Sequence, residues 1–351
     1  STLFPYTTLF RSPYSDEAAI FAKLPQLMRP VYIAEATARL RAGVATDRPF
    51  VERLVHFWTN HFAVSVDKIA VLGLAGAYER EAIRPHVLGR FEHLLLAADR
   101  HPAMLLYLDN HLSVGPGSKI AQRVARRGKR TLDINENLAR EILELHTLGV
   151  DGGYTQEDVT SFAKVITGWS IGGPVGRLRD SGEKGRFHFR ADFHEPGAKR
   201  VLGRSYSEDG VKQGEAVLRD LARKPPTARF LATKLARHFV ADDPPPALVD
   251  RLTHAYMESD GDLPHVYRAL IESPEGWAVP PAKYKTPSDY LFSVYRGLDM
   301  PVPESREALA GFELLGQRTY SPGSPAGWPD RSADWDGAYM EIGRASCRER
   351  V

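Results

Sequence analysis

The chain has 351 residues, of which 43% are hydrophobic and 26% are charged, and its formal net charge is +2. This composition is typical of a soluble globular protein with a sizeable core. No run of about 18 apolar residues occurs, so no membrane span is predicted. The near-zero net charge argues against bulk binding of nucleic acid. The single cysteine excludes a disulfide within the chain and argues against thiolate chemistry.

The two ends of the sequence are related to each other. One reverse translation of residues 1–12 (STLFPYTTLFRS) has a complementary strand that encodes residues 342–351 (IGRASCRERV) and then a stop codon. We therefore expect both ends to derive from a sequencing adapter. Residues 13–341 would then be a single helical domain, truncated at both ends. Four arginines, one glutamate and Cys347 lie in the two ends, so without them the net charge changes from +2 to −1.

Helical periodicity dominates the first part of the chain. We predict helices over residues 16–43 with a break at Pro30, over 49–64, and over 76–98 with Pro85 inside, followed by a short apolar segment over 101–109. Residues 113–131 are rich in glycine and arginine and are predicted to form a surface loop. The next helix spans 135–148.

Local signals mark the ends of the helices near the middle of the chain. Asp133 or Asn135 can cap the 135–148 helix, and Gly149 is a natural stop for it. Thr155 and Asp158 have the spacing of a variant capping box for the following helix. These signals predict two consecutive helices joined by a tight turn.

Residues 172–207 differ from the rest because they are rich in glycine and charge, with Phe187 and Phe189 alternating. This pattern predicts a β-hairpin or a long, lid-like loop. Helical periodicity returns over 209–273, with breaks at the proline pairs and triplet, and again over 286–297 and 304–315. We therefore predict a mainly α fold, an orthogonal multi-helix array with a small β excursion around 172–207.

The first candidate site lies on the 49–64 helix. His61 shares a face with Trp58, so it should point into the core, and Asn60 lies beside it. His61 could be a core histidine that is hydrogen-bonded to the backbone, or a metal ligand or general base. His56 lies on another face and is expected to belong to a solvated stripe.

The second candidate site is the 135–148 helix. Glu136, Arg140 and Glu144 have the i, i+4, i+8 spacing of an ion-pair ladder. The helix also carries four further polar groups: Asn135, Asn137, Glu141 and His146. These groups could form a buried ionic network that fixes helix packing, or they could contribute to a metal site between helices.

Further ionisable residues occur later in the chain. One group comprises His188, Asp192, His194 and Glu195, which could form a functional loop or a solvated polar one. His238 could reach a phosphate or a carboxylate, or it could lie on a solvated helix face. The sequence contains no P-loop, no dinucleotide-binding glycine pattern, no G-x-S-x-G elbow and no H-E-x-x-H motif.

Several motifs together resemble a bacterial family called domain of unknown function 1800. They are FWTNHF (57–62), MLLYLDN (104–110), NENLAREILELHTLGVDGGYTQEDV (135–159), TGW (167–169), the FHF to LG stretch (187–203), KLARHFVADDPPP (234–246) and GQRTYSPGSPAGWP (316–329). The resemblance marks Asp109 and Trp169 as further candidate site residues. One departure is that the family's usual His-Asp is His194-Glu195 here.

The resemblance implies an exported protein, periplasmic or extracellular, with a possible partner from an exported family related to alkaline phosphatases and sulfatases. Two hypotheses follow for its function. One is a metal-dependent or acid–base enzyme with its site between the 49–64 and 135–148 helices, covered by 172–207. In that enzyme His61, His146 and His194 could bind a divalent transition metal, and Arg140, Glu141 and Glu144 would be catalytic. The alternative is a non-catalytic module that binds or assembles with a partner.

Overall fold

The computed structural model describes residues 15–127, 132–173, 182–278 and 283–335, with side chains from residue 23 onward. Helices predominate there, and the strands within these ranges form two short antiparallel pairs. The predicted mainly α fold with a small β excursion is therefore confirmed. The segments predicted to derive from an adapter, 1–12 and 342–351, lie outside the described residues. Within the described ranges, no helix is both long and apolar enough to cross a membrane.

The first part of the chain forms eight α-helices in the described ranges. They are α1 (Ser15–Ala45), α2 (Pro49–His61), α3 (Ala75–Tyr78), α4 (Phe91–Arg100), α5 (Pro102–Tyr107), α6 (Lys119–Ala125), α7 (Asn137–Glu141) and α8 (Gln156–Val165). Helix α1 continues through the predicted break at Pro30. The segment 113–131, which the sequence predicts as a loop, contains α6 instead. The Ser118 side chain caps this helix by accepting from Ala121 N.

Two π-helical segments interrupt helices that the sequence pattern predicts as continuous. They are Glu79–Ile83, after α3, and Ile142–Thr147, after α7. In each, an amide donates five residues back: Arg84 N to Glu79 O at 2.8 Å, and Leu148 N to Leu143 O at 3.0 Å. Such segments are rare and are often found at functional sites.

Four short strands form two hairpins. Strand β1 (Trp169–Ile171) pairs antiparallel with β2 (Phe187–Phe189), and β3 (Lys199–Val201) pairs antiparallel with β4 (Arg204–Tyr206). The predicted β excursion is thus two hairpins, and it begins slightly earlier than residue 172. The capping box is confirmed as well, and Asp158 in addition accepts from Leu202 N at 2.6 Å, which ties the second hairpin to α8.

The second part of the chain is helical, with boundaries near its prolines. Its helices are α9 (Val211–Ala222), α10 (Pro225–Phe239), α11 (Pro246–Glu258), α12 (Leu263–Glu272), α13 (Pro274–Ala278), α14 (Pro287–Gly297) and α15 (Glu307–Leu314). Proline is favoured in the first turn, where its missing N–H has no intrahelical partner to lose. The segment 316–335, which we call the tail, is irregular apart from a 3₁₀ turn at Ser332–Asp334.

The main hydrophobic core extends from Leu54 to Tyr320 and surrounds Trp58, which is fully buried. The indole Nε1 of Trp58 donates to the Tyr267 hydroxyl at 2.7 Å, and that hydroxyl donates to Val87 O at 2.9 Å. These two bonds satisfy the polar groups of both aromatic side chains inside the core. A smaller core, built around Leu40 and Leu315, joins α1, α14 and α15.

We expect Gly214→Ala to lower the free energy of unfolding by about 1–3 kcal/mol, although alanine is the better helix former. A Cβ at this position of α9 would lie 2.5 Å from Cζ2 of the fully buried Trp169. Gly297→Ala is the matched control, since nothing lies within 4 Å of its Cβ position, and it should raise stability by up to about 1 kcal/mol. Urea unfolding measures both, and equal effects would contradict the packing argument.

Candidate functional site

The inner face of α2 brings His61 next to His146 in the core. His61 Nε2 lies 3.1 Å from the carbonyl oxygen of His146, so this nitrogen carries the proton and donates it. His146 Nδ1 lies 2.9 Å from Asp99 Oδ1, a close polar contact whose angle falls short of a hydrogen bond. All three side chains are at most 1% exposed. The backbone hydrogen bond of His61 is the one that the core-histidine interpretation predicts.

Burial controls the protonation of this core cluster. It lowers the pKa of His61 well below the ordinary value, and the charges of Lys234 and His146 act in the same direction. Burial also raises the pKa of Asp99, against the attraction of His146, which lowers it. His61 Nδ1 and His146 Nε2 have no hydrogen-bond partner in the described parts of the chain. The sequence signal for Asp99 was weak because it lies on α4, in a segment without a recognised motif.

The predicted ion-pair ladder on α7 is present but lies at the surface. Arg140 contacts Glu136 at 3.2 Å and Glu144 at 3.5 Å, and the three side chains are 25–37% exposed. Arg140 also donates to Gln156 Oε1 at 2.8 Å. Glu141 is half-buried, and burial raises the pKa of its carboxyl. The ladder therefore faces outward, while His146 of the same segment faces the core.

The polar residues before α7 have backbone partners that shape the chain. Asn135 Oδ1 accepts from Asn137 N at 2.9 Å, and Asn135 Nδ2 donates to Leu108 O at 3.3 Å. Asp109 has a left-handed backbone with φ of 60° and forms an ion pair with Lys68 at 2.7 Å. The bond from Asn135 to Leu108 O holds the end of α5 against the residues just before α7.

His194 belongs to a separate network under the second hairpin. Its Nδ1 donates to Thr167 O at 2.9 Å, and Lys199 Nζ lies 3.4 Å from its Nε2. Lys199 also donates to Gln213 Oε1 at 3.0 Å. Burial lowers the pKa of both His194 and Lys199. Glu195 accepts from Gly117 N at 2.6 Å and so connects the hairpin region to the loop before α6.

The outer face of α2 lines a cleft with a volume of about 80 Å³. Segments distant in sequence form the other walls, namely the end of α10, the start of α14 and the tail. The charged and imidazole side chains in its lining are Arg39, Arg53, His56, His238, Asp289, Arg318 and Asp330. We call this surface the cleft.

His56 is not part of a solvated stripe, so that prediction is wrong. Its ring stacks on Phe292 with centroids 4.9 Å apart, and its Nε2 is buried without a hydrogen-bond partner in the described residues. Burial lowers the pKa of His56 well below the ordinary value, and nearby positive charges, first that of Arg39, lower it further. The Phe292 ring of α14 covers His56, and periodicity within α2 cannot reveal such a contact.

His238 and Asp330 face each other in the wall of the cleft. His238 Nδ1 lies 3.9 Å from Asp330 Oδ1, and each side chain is less than one-fifth exposed. Burial would raise the pKa of Asp330, but the interaction with His238 and the charge of Lys234 outweigh burial, and the pKa is lowered. Asp330 is therefore a carboxylate at neutral pH. The sequence pattern offered His238 a carboxylate as one alternative but did not identify Asp330.

Asn60 contributes to the cleft by binding the tail. Its Nδ2 donates to Trp328 O at 2.8 Å, and its Oδ1 accepts from Trp328 N at 2.7 Å. The structure thus places the candidates of α2 in two environments: Trp58 and His61 in the core, and Asn60 in the cleft. It brings His61 and His146 together, and it leaves His194 and the Arg140 ladder in separate surroundings.

Comparison with known proteins identifies a family. The family model described as "Protein of unknown function (DUF1800)" matches residues 8–351. No curated protein and no solved structure matches the chain.

We expect stability to fall as the pH drops below about 6.5, because His61 is neutral when folded and takes up a proton only on unfolding. When the pKa of a group is lower in the folded state than in the unfolded state, its contribution to stability is complete at a pH above the unfolded pKa. That contribution is lost as the pH falls from the unfolded pKa towards the folded pKa. His61→Gln keeps an N–H donor for the His146 carbonyl without titrating. This variant should reduce the change in the free energy of unfolding with pH by up to about 1.4 kcal/mol per pH unit. Urea unfolding between pH 7.5 and 5 measures this.

The control for that experiment is His254→Gln, since His254 is 81% exposed on α11. This variant should reproduce the wild-type curve. A slope that is the same in His61→Gln and wild type would contradict the assignment of a neutral, buried His61.

Proposed function

This chain belongs to the DUF1800 family, whose description names no activity. We therefore propose a function from the geometry of the cleft. The proposal is an acid–base enzyme that acts on a small anionic substrate bound in the cleft. The observation that carries it is the contact of His238 with the Asp330 carboxylate in the wall of the cleft.

His238 is the proposed acid–base group. Imidazole has two nitrogens, and a carboxylate beside one of them favours the tautomer with the proton on that side. Asp330 faces Nδ1, so it would hold the proton there and leave Nε2 free to accept a proton. The 3.9 Å separation is longer than a hydrogen bond, and such contacts commonly tighten when a substrate binds.

Arg53 is the proposed anion-binding group. Its side chain is 43% exposed, its closest carboxylate oxygen, on Asp289, is 3.9 Å away, and its guanidinium lies over the Phe239 ring at 4.8 Å. A guanidinium with so loose a partner is available to form paired hydrogen bonds with a substrate carboxylate or phosphate. The other two arginines of the lining, Arg39 and Arg318, already have carboxylate partners at 2.8–3.0 Å.

The experiment measures binding and turnover separately. Binding of succinate, glucuronate and inorganic phosphate is measured by calorimetry, and turnover is measured on nitrophenyl substrates that carry a carboxylate or a phosphate. Arg53→Gln should weaken the binding of the anion that binds by about tenfold, the effect of losing one charge-assisted contact. His238→Ala should slow turnover by about 100-fold or more and change affinity little.

Arg41→Gln is the matched control for Arg53. Arg41 is 50% exposed, pairs loosely with Glu304 at 3.7 Å, and is absent from the lining of the cleft. An equal loss of affinity in both variants would show a general charge effect and would refute the site. Anion binding without any turnover, unchanged in His238→Ala, would favour the non-catalytic binding module.

A metal-dependent version of the proposal rests on the core histidines. One nitrogen of His61 faces the carbonyl oxygen of His146, and one nitrogen of His146 faces a carboxyl oxygen of Asp99. Histidines that bind a metal are usually oriented by such a contact of their second nitrogen. Within the described ranges, however, no three His, Cys, Asp or Glu residues form a group that could hold a metal ion. Elemental analysis tests this version: a stoichiometric transition metal that is lost in His61→Gln supports it, and a metal-free protein refutes it.

The proposed location is periplasmic or extracellular, and the proposed partner is an exported protein related to alkaline phosphatases and sulfatases. Both rest on the family resemblance. One surface feature favours a partner: Trp277 is 76% exposed, next to Ile271, which is 48% exposed. Co-elution of the two purified proteins, lost in Trp277→Ser, would support the binding function, and separate elution would refute it.

A further inference from the structure

We propose that Asn60 is a positioning residue, whose side chain holds the tail so that Asp330 stays beside His238. We call the paired contact of Asn60 with Trp328 the latch. The geometry of the latch stands by itself, and its consequence for catalysis rests on the proposed function.

The latch consists of two antiparallel hydrogen bonds between one side chain and one residue's backbone. Asn60 Nδ2 donates to Trp328 O at 2.8 Å, and Trp328 N donates to Asn60 Oδ1 at 2.7 Å. A carboxamide offers one donor and one acceptor side by side, which a carboxylate or a hydroxyl of similar size cannot do in the same way. Both backbone groups of Trp328 are thereby satisfied away from any sheet or helix.

The chain just before Trp328 is shaped to approach α2 closely. Gly327 has φ of 82°, a conformation that favours glycine. A Cβ at this position would lie 2.4 Å from the carbonyl oxygen of Asn60 and 2.7 Å from its Oδ1. Glycine is therefore required both for the backbone conformation and for the space that the latch occupies.

The latch lies close enough to Asp330 along the chain to hold this residue in place. Only Pro329 separates Trp328 from Asp330, and the ring of proline fixes its φ. On the far side, Lys283 Nζ donates to the Asp330 carbonyl and to Asp242 Oδ1. Asp242 Oδ2 also accepts from Ser332 N at 2.7 Å. Asp330 is thus held between two anchors, and the latch is the anchor on the side of α2.

Helix α2 also sets the position of His238. The Phe57 ring contacts the His238 ring with centroids 5.2 Å apart, in an edge-to-face arrangement. One turn further along α2, Asn60 binds the tail. The same helix therefore fixes the imidazole from one side and, through Asn60, the carboxylate from the other. Loss of the latch should disturb the pair without removing either of its members.

The test compares Asn60→Ala with the wild-type protein by NMR and by turnover. Amide exchange at Trp328 should become at least about tenfold faster, because the N–H loses its acceptor. The ¹⁵N spectrum of the His238 ring should change from a dominant Nδ1–H tautomer to a mixture. Turnover of the nitrophenyl substrate should fall by about tenfold or more, with affinity for the anion nearly unchanged.

Asn110→Ala is the matched control, because Asn110 is a buried asparagine that donates to the carbonyls of Ile166 and Trp169 at 3.2 and 3.0 Å, apart from the cleft. It should lower stability but leave Trp328 exchange and the His238 tautomer unchanged. Gly327→Ala disturbs the latch from the tail side and should reproduce the effects of Asn60→Ala. It takes the place of Asn60→Ala in the test if Asn60→Ala folds poorly.

The outcomes separate the two proposals. Unchanged Trp328 exchange in Asn60→Ala and Gly327→Ala would overturn the latch. Faster exchange with an unchanged His238 spectrum would overturn its positioning role. If Trp328 exchange and the His238 spectrum both change as expected but His238→Ala retains full turnover, the latch stands and the acid–base function fails.

Discussion

The arrangement of this protein depends on helix α2 being packed on both of its long faces. Its inner face buries Trp58 and His61 in the core, and its outer face presents Arg53, His56 and Asn60 to the cleft. These two sets each follow helical spacing, so the thirteen residues of α2 serve both environments without distortion. The hydrogen bond from Trp58 to Tyr267 fixes the rotation of the helix, and that rotation decides which residues reach the cleft.

The core contains an ionisable group that a purely hydrophobic interior would avoid. Asp99 and His146 are buried with Oδ1 and Nδ1 only 2.9 Å apart, and leaving a buried ionisable group without its partner is costly. The π-helical segment Ile142–Thr147 carries His146 into the core, while Arg140, six residues earlier, remains at the surface. Residues six apart lie on different sides of a helix, so one segment serves both environments.

The cleft is assembled from segments that are distant in sequence. Asn60 and Trp328 are 268 residues apart, and His238 meets an aspartate of the tail. Its lining combines a weakly paired arginine with an imidazole next to a carboxylate, which is a suitable set for binding an anion and transferring a proton. An anion-binding module would need Arg53 but not the His238 and Asp330 pair, so the two functions differ in the residues on which they depend.

The sequence by itself determined the local features of this protein. Periodicity and prolines predicted most helices, the capping box of Thr155 and Asp158 was correct, and the Arg140 ladder forms as its spacing predicts. These features depend on neighbours within a few residues, which a sequence displays directly. The tertiary structure alone decided that the Nε2 atom of His56 is buried and that Asp330 meets His238. Those contacts join elements whose relative placement results from packing of the whole core, and no local pattern in the sequence encodes that placement.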